Sequence, residues 1–181
     1  MSIAEKHKFD FQTPPQVCKY MASLIPEGTK TILEPTPGIG NIVRELSAYE
    51  VTAPDNFFTM ERQRFDCVVT NPPFSAKYAH GVPDNMLKDG MRLGYSILKE
   101  CLKMSDNVIA LMLWFTLSDS DVRLRSLKNW GMISVTALPR KTFQYARIQT
   151  VVIQMQRGWE AETIFKVYDL LEKDIQHNLF D

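Results

Sequence analysis

The chain has 181 residues, 45% of them hydrophobic and 23% charged, and a formal net charge of zero. This is the composition of an ordinary soluble globular protein, long enough to bury the core of one domain without staples. It excludes a membrane span, because the longest apolar run, Val108 to Leu117, is strand-sized. The charged start, Met1 to Asp10, lacks the apolar centre of a signal peptide, and Cys18, Cys67 and Cys101 are too scattered for zinc or a disulfide framework. A reducing cytoplasm is expected.

In chain order, Phe11-Gln12-Thr13-Pro14-Pro15 leads into a helix from Gln16 to Leu24, with Thr13 as its N-cap and Pro14 at the first helical position. Thr31-Ile32-Leu33 reads as a short strand. It runs into the turn Glu34-Pro35-Thr36-Pro37-Gly38-Ile39-Gly40, after which Asn41 caps a helix from Ile42 to about Tyr49. Strand, glycine turn and helix start together form a cofactor- or nucleotide-binding arrangement, since small residues let a ligand approach backbone N–H groups. Val51 to Ala53 is a second strand, ending at Asp55-Asn56-Phe57-Phe58, and Phe65 to Thr70 is a third. Ser75 to Asn85 reads as a loop, Met86 to Met104 as a helix, and Asn107 to Leu117 as a strand apolar on both faces, hence central. A helix over Asp121 to Asn129 is closed by Gly131. Ile133 to Leu138 and Thr150 to Met155 form a late strand pair around a loop carrying Phe143. The segment Ala161 to Phe180 is patterned for a docked helix, with a short strand at Phe165 to Val167 as the alternative. Alternation of strands and helices predicts an α/β three-layer sandwich with a mostly parallel sheet, its ligands at the carboxyl ends of the strands.

The charge is unevenly placed. Val122 to Trp159 contains no acid and seven bases, Arg123, Arg125, Lys128, Arg140, Lys141, Arg147 and Arg157, leaving 14 bases and all 21 acids elsewhere. This basic third is either a phosphate-facing surface or a set of separately solvated cations. His7, His80 and His177 are isolated and have no assigned role, and Met91, Met104, Met112 and Met155 read as core filler.

The segment Asn71-Pro72-Pro73-Phe74, at the end of the third strand, carries the chemistry. Read plainly, Asn-Pro is a strand-to-loop exit. Read as a site, the two prolines hold a stiff hook that delivers Asn71 and Phe74 to the ligand end of the sheet. A planar aromatic amine such as that of adenine is a poor nucleophile, because its lone pair is delocalised into the ring. The Asn71 side-chain oxygen and the Pro72 main-chain oxygen, placed on the amine hydrogens, would draw the nitrogen toward a tetrahedral form. Phe74 would stack on the base, and Phe143 would cover its other face or edge unless it is a core aromatic.

These motifs resemble the gamma-class DNA adenine-N6 methyltransferases that use S-adenosylmethionine. The resemblance spans residues 11 to 155 and five short motifs in order. It implies a Rossmann-like class I methyltransferase sandwich with an antiparallel late strand, here shortened by one strand–helix unit. It implies that Asn71, Pro72, Pro73 and Phe74 are catalytic. It also implies that Thr13, Glu34, Pro35, Thr36, Gly38 and Gly40 line the cofactor, with Glu34 near the methionine ammonium. Asp55, Asn56 and Phe57 are implied at the cofactor's adenine, the acid on its amine and the aromatic on its ring. Phe143 is implied at a target base extruded from the duplex, and Lys77, Arg140, Lys141 and Arg147 at DNA. The expectation is one domain over residues 1–181, without a separate target-recognition domain or a metal. Its partner is DNA, with RNA as the alternative substrate, and a second copy or a specificity subunit as the protein partner. It is expected in the cytoplasm of a bacterium or of the host of a phage or mobile element. Two other readings stand beside this one: a degenerate relative that binds DNA or a partner without catalysis, and a methyltransferase of RNA adenines or glutamine amides.

Overall fold

The structure, a computed structural model, describes residues 11–76, 79, 81–143 and 147–168. One sheet of seven strands organises it: β1 (Thr31–Leu33), β2 (Glu50–Thr52), β3 (Cys67–Thr70), β4 (Asn107–Leu113), β5 (Met132–Ala137), β6 (Thr150–Gln156) and β7 (Ile164–Val167). Their spatial order is β2-β1-β3-β4-β6-β5-β7. β2, β1, β3 and β4 run parallel, β6 is antiparallel to both β4 and β5, and β7 is parallel to β5. The helices are α1 (Pro15–Ser23), α2 (Asn41–Glu45), α3 (Asp84–Leu87), α4 (Leu93–Met104), α5 (Trp114–Ser118) and α6 (Asp121–Gly131).

Side-chain alternation along the strands produces the three layers. Leu33, Val68, Val108, Ala110 and Met112 face one core with Leu93, Ile97, Leu98 and Cys101 of α4 and Leu127 of α6. Their neighbours Ile32, Cys67, Val69, Ile109, Leu111 and Leu113 face the other core, with Val17, Cys18 and Met21 of α1 and Ile42 of α2. β4 is buried over Val108 to Leu113 and lies mid-sheet, as its two apolar faces require. At the amino ends, the Asp66 carboxylate accepts the N–H groups of Lys30 and Thr31 at 2.9 Å each and the Thr31 hydroxyl at 3.1 Å. These donors hold its pKa below the ordinary value and pin β1 against β3.

Several elements depart from their sequence expectation, each for a visible reason. Thr13 does not cap α1: Pro14 is the N-cap, Pro15 opens the helix, and no side chain caps it. Asn41 is the first residue of α2, whose N-cap is Gly40 in a left-handed conformation. The helix expected over Met86 to Met104 is broken into α3, a 3-10 turn at Gly90–Arg92 and α4, with Gly90 at φ +54°. The strand expected to run to Leu117 stops at Leu113, where the Thr116 hydroxyl donates to the Leu113 carbonyl at 2.8 Å and the chain turns into α5. The helix expected over Ala161 to Phe180 is not formed in its described part, where Ile164–Val167 pair with β5 as strand β7, the alternative reading; the remainder of that span lies outside the described residues.

β2 pairs directly with β1, and the chain passes from β2 to β3 through residues 53–66 without a helix. A parallel crossover normally carries one. Here Phe57 and Phe65, both buried, fill that part of the layer instead.

Gly131 is required where α6 enters β5. Its φ is +130°, and a Cβ there would lie 1.9 Å from the Gln156 carbonyl oxygen and 2.8 Å from the Trp159 nitrogen. Both obstacles are backbone, so neither can swing aside. Gly131→Ala is therefore expected to cost about 3 kcal/mol or more, a fall of about 10 °C in Tm for a chain of this size. A thermal melt within two degrees of wild type would contradict this packing.

Candidate active site

The carboxyl ends of β1, β2, β3 and β4 bring most of the expected site residues together. β1 ends in Glu34, which is completely buried. One carboxyl oxygen, Oε1, accepts the Thr36 N–H at 3.0 Å, the Thr70 hydroxyl at 3.1 Å and the Thr36 hydroxyl at 3.3 Å. The other, Oε2, is buried without a partner among the described residues. Burial pushes the pKa up to about 8, against the opposing pull of the Thr36 N–H and the Thr70 and Thr36 hydroxyls. A cation beside the second oxygen would favour the ionised carboxylate and offset the cost of its burial. An ammonium such as that of S-adenosylmethionine fits this donor demand.

The glycine turn follows, with Gly38 at φ +55° and Gly40 at φ +81°. The Ile39 N–H in this turn donates to Gln12 Oε1 at 3.2 Å, and a Cβ on Gly38 would lie 2.6 Å from that oxygen. Arg44 Nη1 closes the turn from the other side by donating to the Ile39 carbonyl at 2.8 Å. Thus Gln12, which sequence reasoning did not single out, ties the N-terminal strap of residues 11–13 to the turn. Pro35 and Thr36 continue from Glu34 toward it, and the Thr36 hydroxyl also lies 3.3 Å from the Asn71 carbonyl.

β3 ends in the Asn71 hook. The Asn71 amide nitrogen donates to the Phe11 carbonyl at 2.8 Å and to the Thr13 hydroxyl at 3.0 Å. Its oxygen, Oδ1, is buried without a partner among the described residues. Pro72 is buried, and α4 comes close enough that a Cβ on Gly94 would stand 3.4 Å from the Pro73 carbonyl and 3.5 Å from the Pro72 ring. The hook is therefore braced from behind by a helix as well as by its own prolines.

Phe74 and Phe143 do meet, but they meet each other. Their centroids are 6.2 Å apart at 88°, and Phe11 packs on both, at 5.4 Å and 6.1 Å. Phe74 and Phe143 are 6% and 2% exposed, so these three rings leave no slot between them for a stacked base. Entry of a base requires the rings to part.

The adenine-side residues are arranged differently from the simple expectation. Asp55 is exposed just beyond β2, while Asn56 Oδ1 accepts the Phe58 N–H at 2.9 Å and its amide nitrogen abuts Gly81. Phe57 is buried, with Phe58 edge-on at 5.6 Å and the Arg62 guanidinium over its ring at 4.7 Å.

The basic third does not form one surface. Arg123 pairs with Asp119, Arg125 with Asp121 and Arg157 with Asp106, all acids from outside the basic stretch, and Lys128 donates to the Ala161 carbonyl. Arg140, Lys141 and Arg147 differ. They lie exposed on the loop between β5 and β6, make no ion pair among the described residues, and share that loop with Phe143. Because β6 begins opposite the carboxyl end of β4, the loop stands at the site end of the sheet. Lys77 lies outside the described residues. Among those described, no three His, Cys, Asp or Glu side chains cluster to hold a metal, and no helix is long and apolar enough to cross a membrane.

No family profile and no curated protein matches the sequence. Solved structures do match. A type I restriction-modification methyltransferase subunit from Streptococcus thermophilus superposes with a TM-score of 0.67 at 17% identity, covering 87% of this chain and 47% of that one. A protein from Vibrio vulnificus named as a modification subunit of a type I restriction enzyme gives 0.64 at 17%, covering 90% and 48%. A protein from Listeria monocytogenes named as a class I S-adenosylmethionine-dependent methyltransferase gives 0.64 at 12%, covering 95% and 68%. The fold is that of a Rossmann-like methyltransferase. The chain spans about half the length of the first two of these proteins. Within the methyltransferase fold, Glu34 and Asn71 stand at the ends of neighbouring parallel strands, where such folds place ligands.

Proposed function

We propose that this protein transfers a methyl group from S-adenosylmethionine to the N6 amine of adenine in DNA. The observation that carries the reading is the Asn71 amide: its nitrogen is held twice by the strap, and its buried oxygen is left as an acceptor with no donor among the described residues. A buried acceptor without a donor costs about 1–3 kcal/mol, and a substrate amine N–H would remove that cost. The Pro72 carbonyl takes the second amine hydrogen, drawing the nitrogen out of the plane of the base so that its lone pair points away from the ring. Phe74 then holds the plane of the base, once Phe11 and Phe143 have moved aside to admit it.

Glu34 would hold the cofactor's ammonium through its vacant oxygen, with the turn from Pro35 to Gly40 alongside and Asp55 at the far end. When bound, S-adenosylmethionine supplies an electrophilic methyl on a sulfonium. The similarity to type I methyltransferase subunits supports DNA as the substrate class and subunit assembly as a property, both carried over from those proteins as proposals.

The test is transfer of labelled methyl to adenine-containing duplex DNA, with RNA and a glutamine peptide as parallel substrates. Label in RNA or peptide but not DNA would redirect the reading to those substrates. A second reading, a non-catalytic DNA- or partner-binding protein, is favoured by the packed rings of Phe11, Phe74 and Phe143. It would be established by DNA binding with neither cofactor binding nor transfer to any of the three substrates.

DNA binding makes its own prediction. Lys141 is an exposed cation on the loop that carries Phe143, so it is expected to contact phosphate without reading sequence. Lys141→Ala should reduce the slope of log K against log salt by about 1 and weaken all sequences alike. An unchanged slope in a salt titration would remove the loop from the phosphate surface.

A further inference from the structure

We infer that Thr13 is a positioning residue for Asn71, and that its hydroxyl serves the hook rather than the cofactor. The inference rests on the catalytic reading of Asn71 above and gives the N-terminal strap a specific task within it.

The argument is one of donors and acceptors. A carboxamide nitrogen has two hydrogens and no acceptor capacity, whereas the oxygen only accepts. The Phe11 main-chain carbonyl, 2.8 Å from the amide, also only accepts, so the atom facing it must be the nitrogen. The second hydrogen goes to the Thr13 hydroxyl at 3.0 Å. Both donors are thereby used, and the oxygen has one direction left. With Phe11 alone, the second hydrogen would be unmatched in a buried setting and the amide could swing about its last bond.

Thr13 is well suited to the task. It is 3% exposed, and its own carbonyl accepts the Asn41 side-chain N–H at 2.8 Å and the Cys18 thiol at 3.6 Å. Two prolines follow it, which keeps its backbone extended and runs it straight into α1. The strap is thus tied to α2 and α1 behind it and to the hook in front. Its residues lie almost sixty positions from Asn71 in the chain, which is why no local motif reveals the contact.

The test uses Thr13→Val, which replaces the hydroxyl by a methyl of similar size, and Thr13→Ser, which keeps it. The Val variant is expected to lose about 10- to 100-fold in kcat, the scale set by small misplacement of a reacting group, with unchanged affinity for S-adenosylhomocysteine by calorimetry. The Ser variant should transfer methyl at close to the wild-type rate. Weakened S-adenosylhomocysteine binding with kcat kept at saturation would make Thr13 a cofactor residue and overturn the inference. So would an unchanged kcat in the Val variant, or a Ser variant as slow as Val.

A second readout requires no turnover. In 15N-labelled wild-type protein, the Asn71 side-chain NH2 signal, identified by its loss in Asn71→Ala, should show both hydrogens protected from exchange. Exchange at the rate of a solvated amide would overturn the inference even if Thr13→Val failed to fold. Should the wild type transfer no methyl at all, the proposed activity falls, and this NMR measurement alone decides the role of Thr13.

Discussion

Asn71→Ala is expected to reduce methyl transfer to DNA by about 10²–10³-fold, the usual consequence of removing one preorganised acceptor or donor from a reacting centre. Affinity for S-adenosylhomocysteine should be little changed, because Asn71 meets Glu34 only indirectly. The Thr36 hydroxyl lies 3.3 Å from both the Asn71 carbonyl and the Glu34 carboxyl and can donate its one hydrogen to either, and the Asn71 side of that choice is main chain that alanine keeps. Some destabilisation is expected as well, since the Phe11 carbonyl and Thr13 hydroxyl lose their donor. It is for this reason that rates should be compared at temperatures where both proteins are fully folded. Asn71→Asp is the sharper control. It places a carboxylate oxygen opposite the Phe11 carbonyl, so the acceptor is nominally retained while the Phe11 anchor becomes repulsive. Single-turnover rates should fall for both variants. Equal rates for wild type and Asn71→Ala would remove Asn71 from the reaction.

Glu34→Gln should separate cofactor binding from stability. An amide keeps the shape, and its oxygen can still accept from Thr36 and Thr70, but its NH2 group then stands where the vacant oxygen stood. A hydrogen bond to a charged group is worth about 1.5–3 kcal/mol, so affinity for S-adenosylhomocysteine should drop about 10- to 100-fold. The unliganded protein should behave in the opposite sense. Burial holds the Glu34 pKa at about 8 in the folded state, against an ordinary value of 4.5. Between those values the folded protein keeps a proton that the unfolded chain has released. Glu34 therefore contributes its stability in full below about pH 4.5, and that contribution is lost as the pH rises to about 8. The loss is of the order of a few kcal/mol. Relative to Glu34→Gln, wild-type Tm should decline by several degrees between pH 5 and pH 8.

The same group predicts proton release. An ammonium beside Glu34 favours the ionised carboxylate, so binding S-adenosylhomocysteine at pH 7 should expel up to one proton. Calorimetry in two buffers of different ionisation enthalpy measures it directly, and Glu34→Gln should expel none. A wild type that releases no proton and a variant that binds as well would together remove Glu34 from the cofactor site.

Much of this architecture could be read from the residues in order. Thr31 to Leu33 became β1 without a change of boundary, because a β-branched, apolar run stopped by Glu-Pro has few alternatives. The central place of β4 followed from its two apolar faces, and the antiparallel late pair from two apolar runs separated by a loop. The Asn-Pro-Pro-Phe hook was legible because prolines impose their geometry locally. Where local signals competed, hydroxyl and glycine signals overrode the apolar pattern. The hydroxyls of Thr116 and Ser118 turned the end of an apolar run into α5 by bonding back to the chain. Gly90 divided a helix that its flanking residues alone would have continued.

The sequence by itself determined which groups are present at the carboxyl ends of the strands, since where a strand stops and where a proline stands are largely local and periodic properties. Only the tertiary structure decided what those groups do to one another. It placed Phe11 against Phe74 and Phe143, paired four of seven basic residues with acids or carbonyls from elsewhere, and left Glu34 Oε2 and Asn71 Oδ1 buried without partners among the described residues. The reason is physical. A hydrogen-bond vacancy exists only relative to everything packed around it, and residues 11 to 13 reach Asn71 through space, not along the chain.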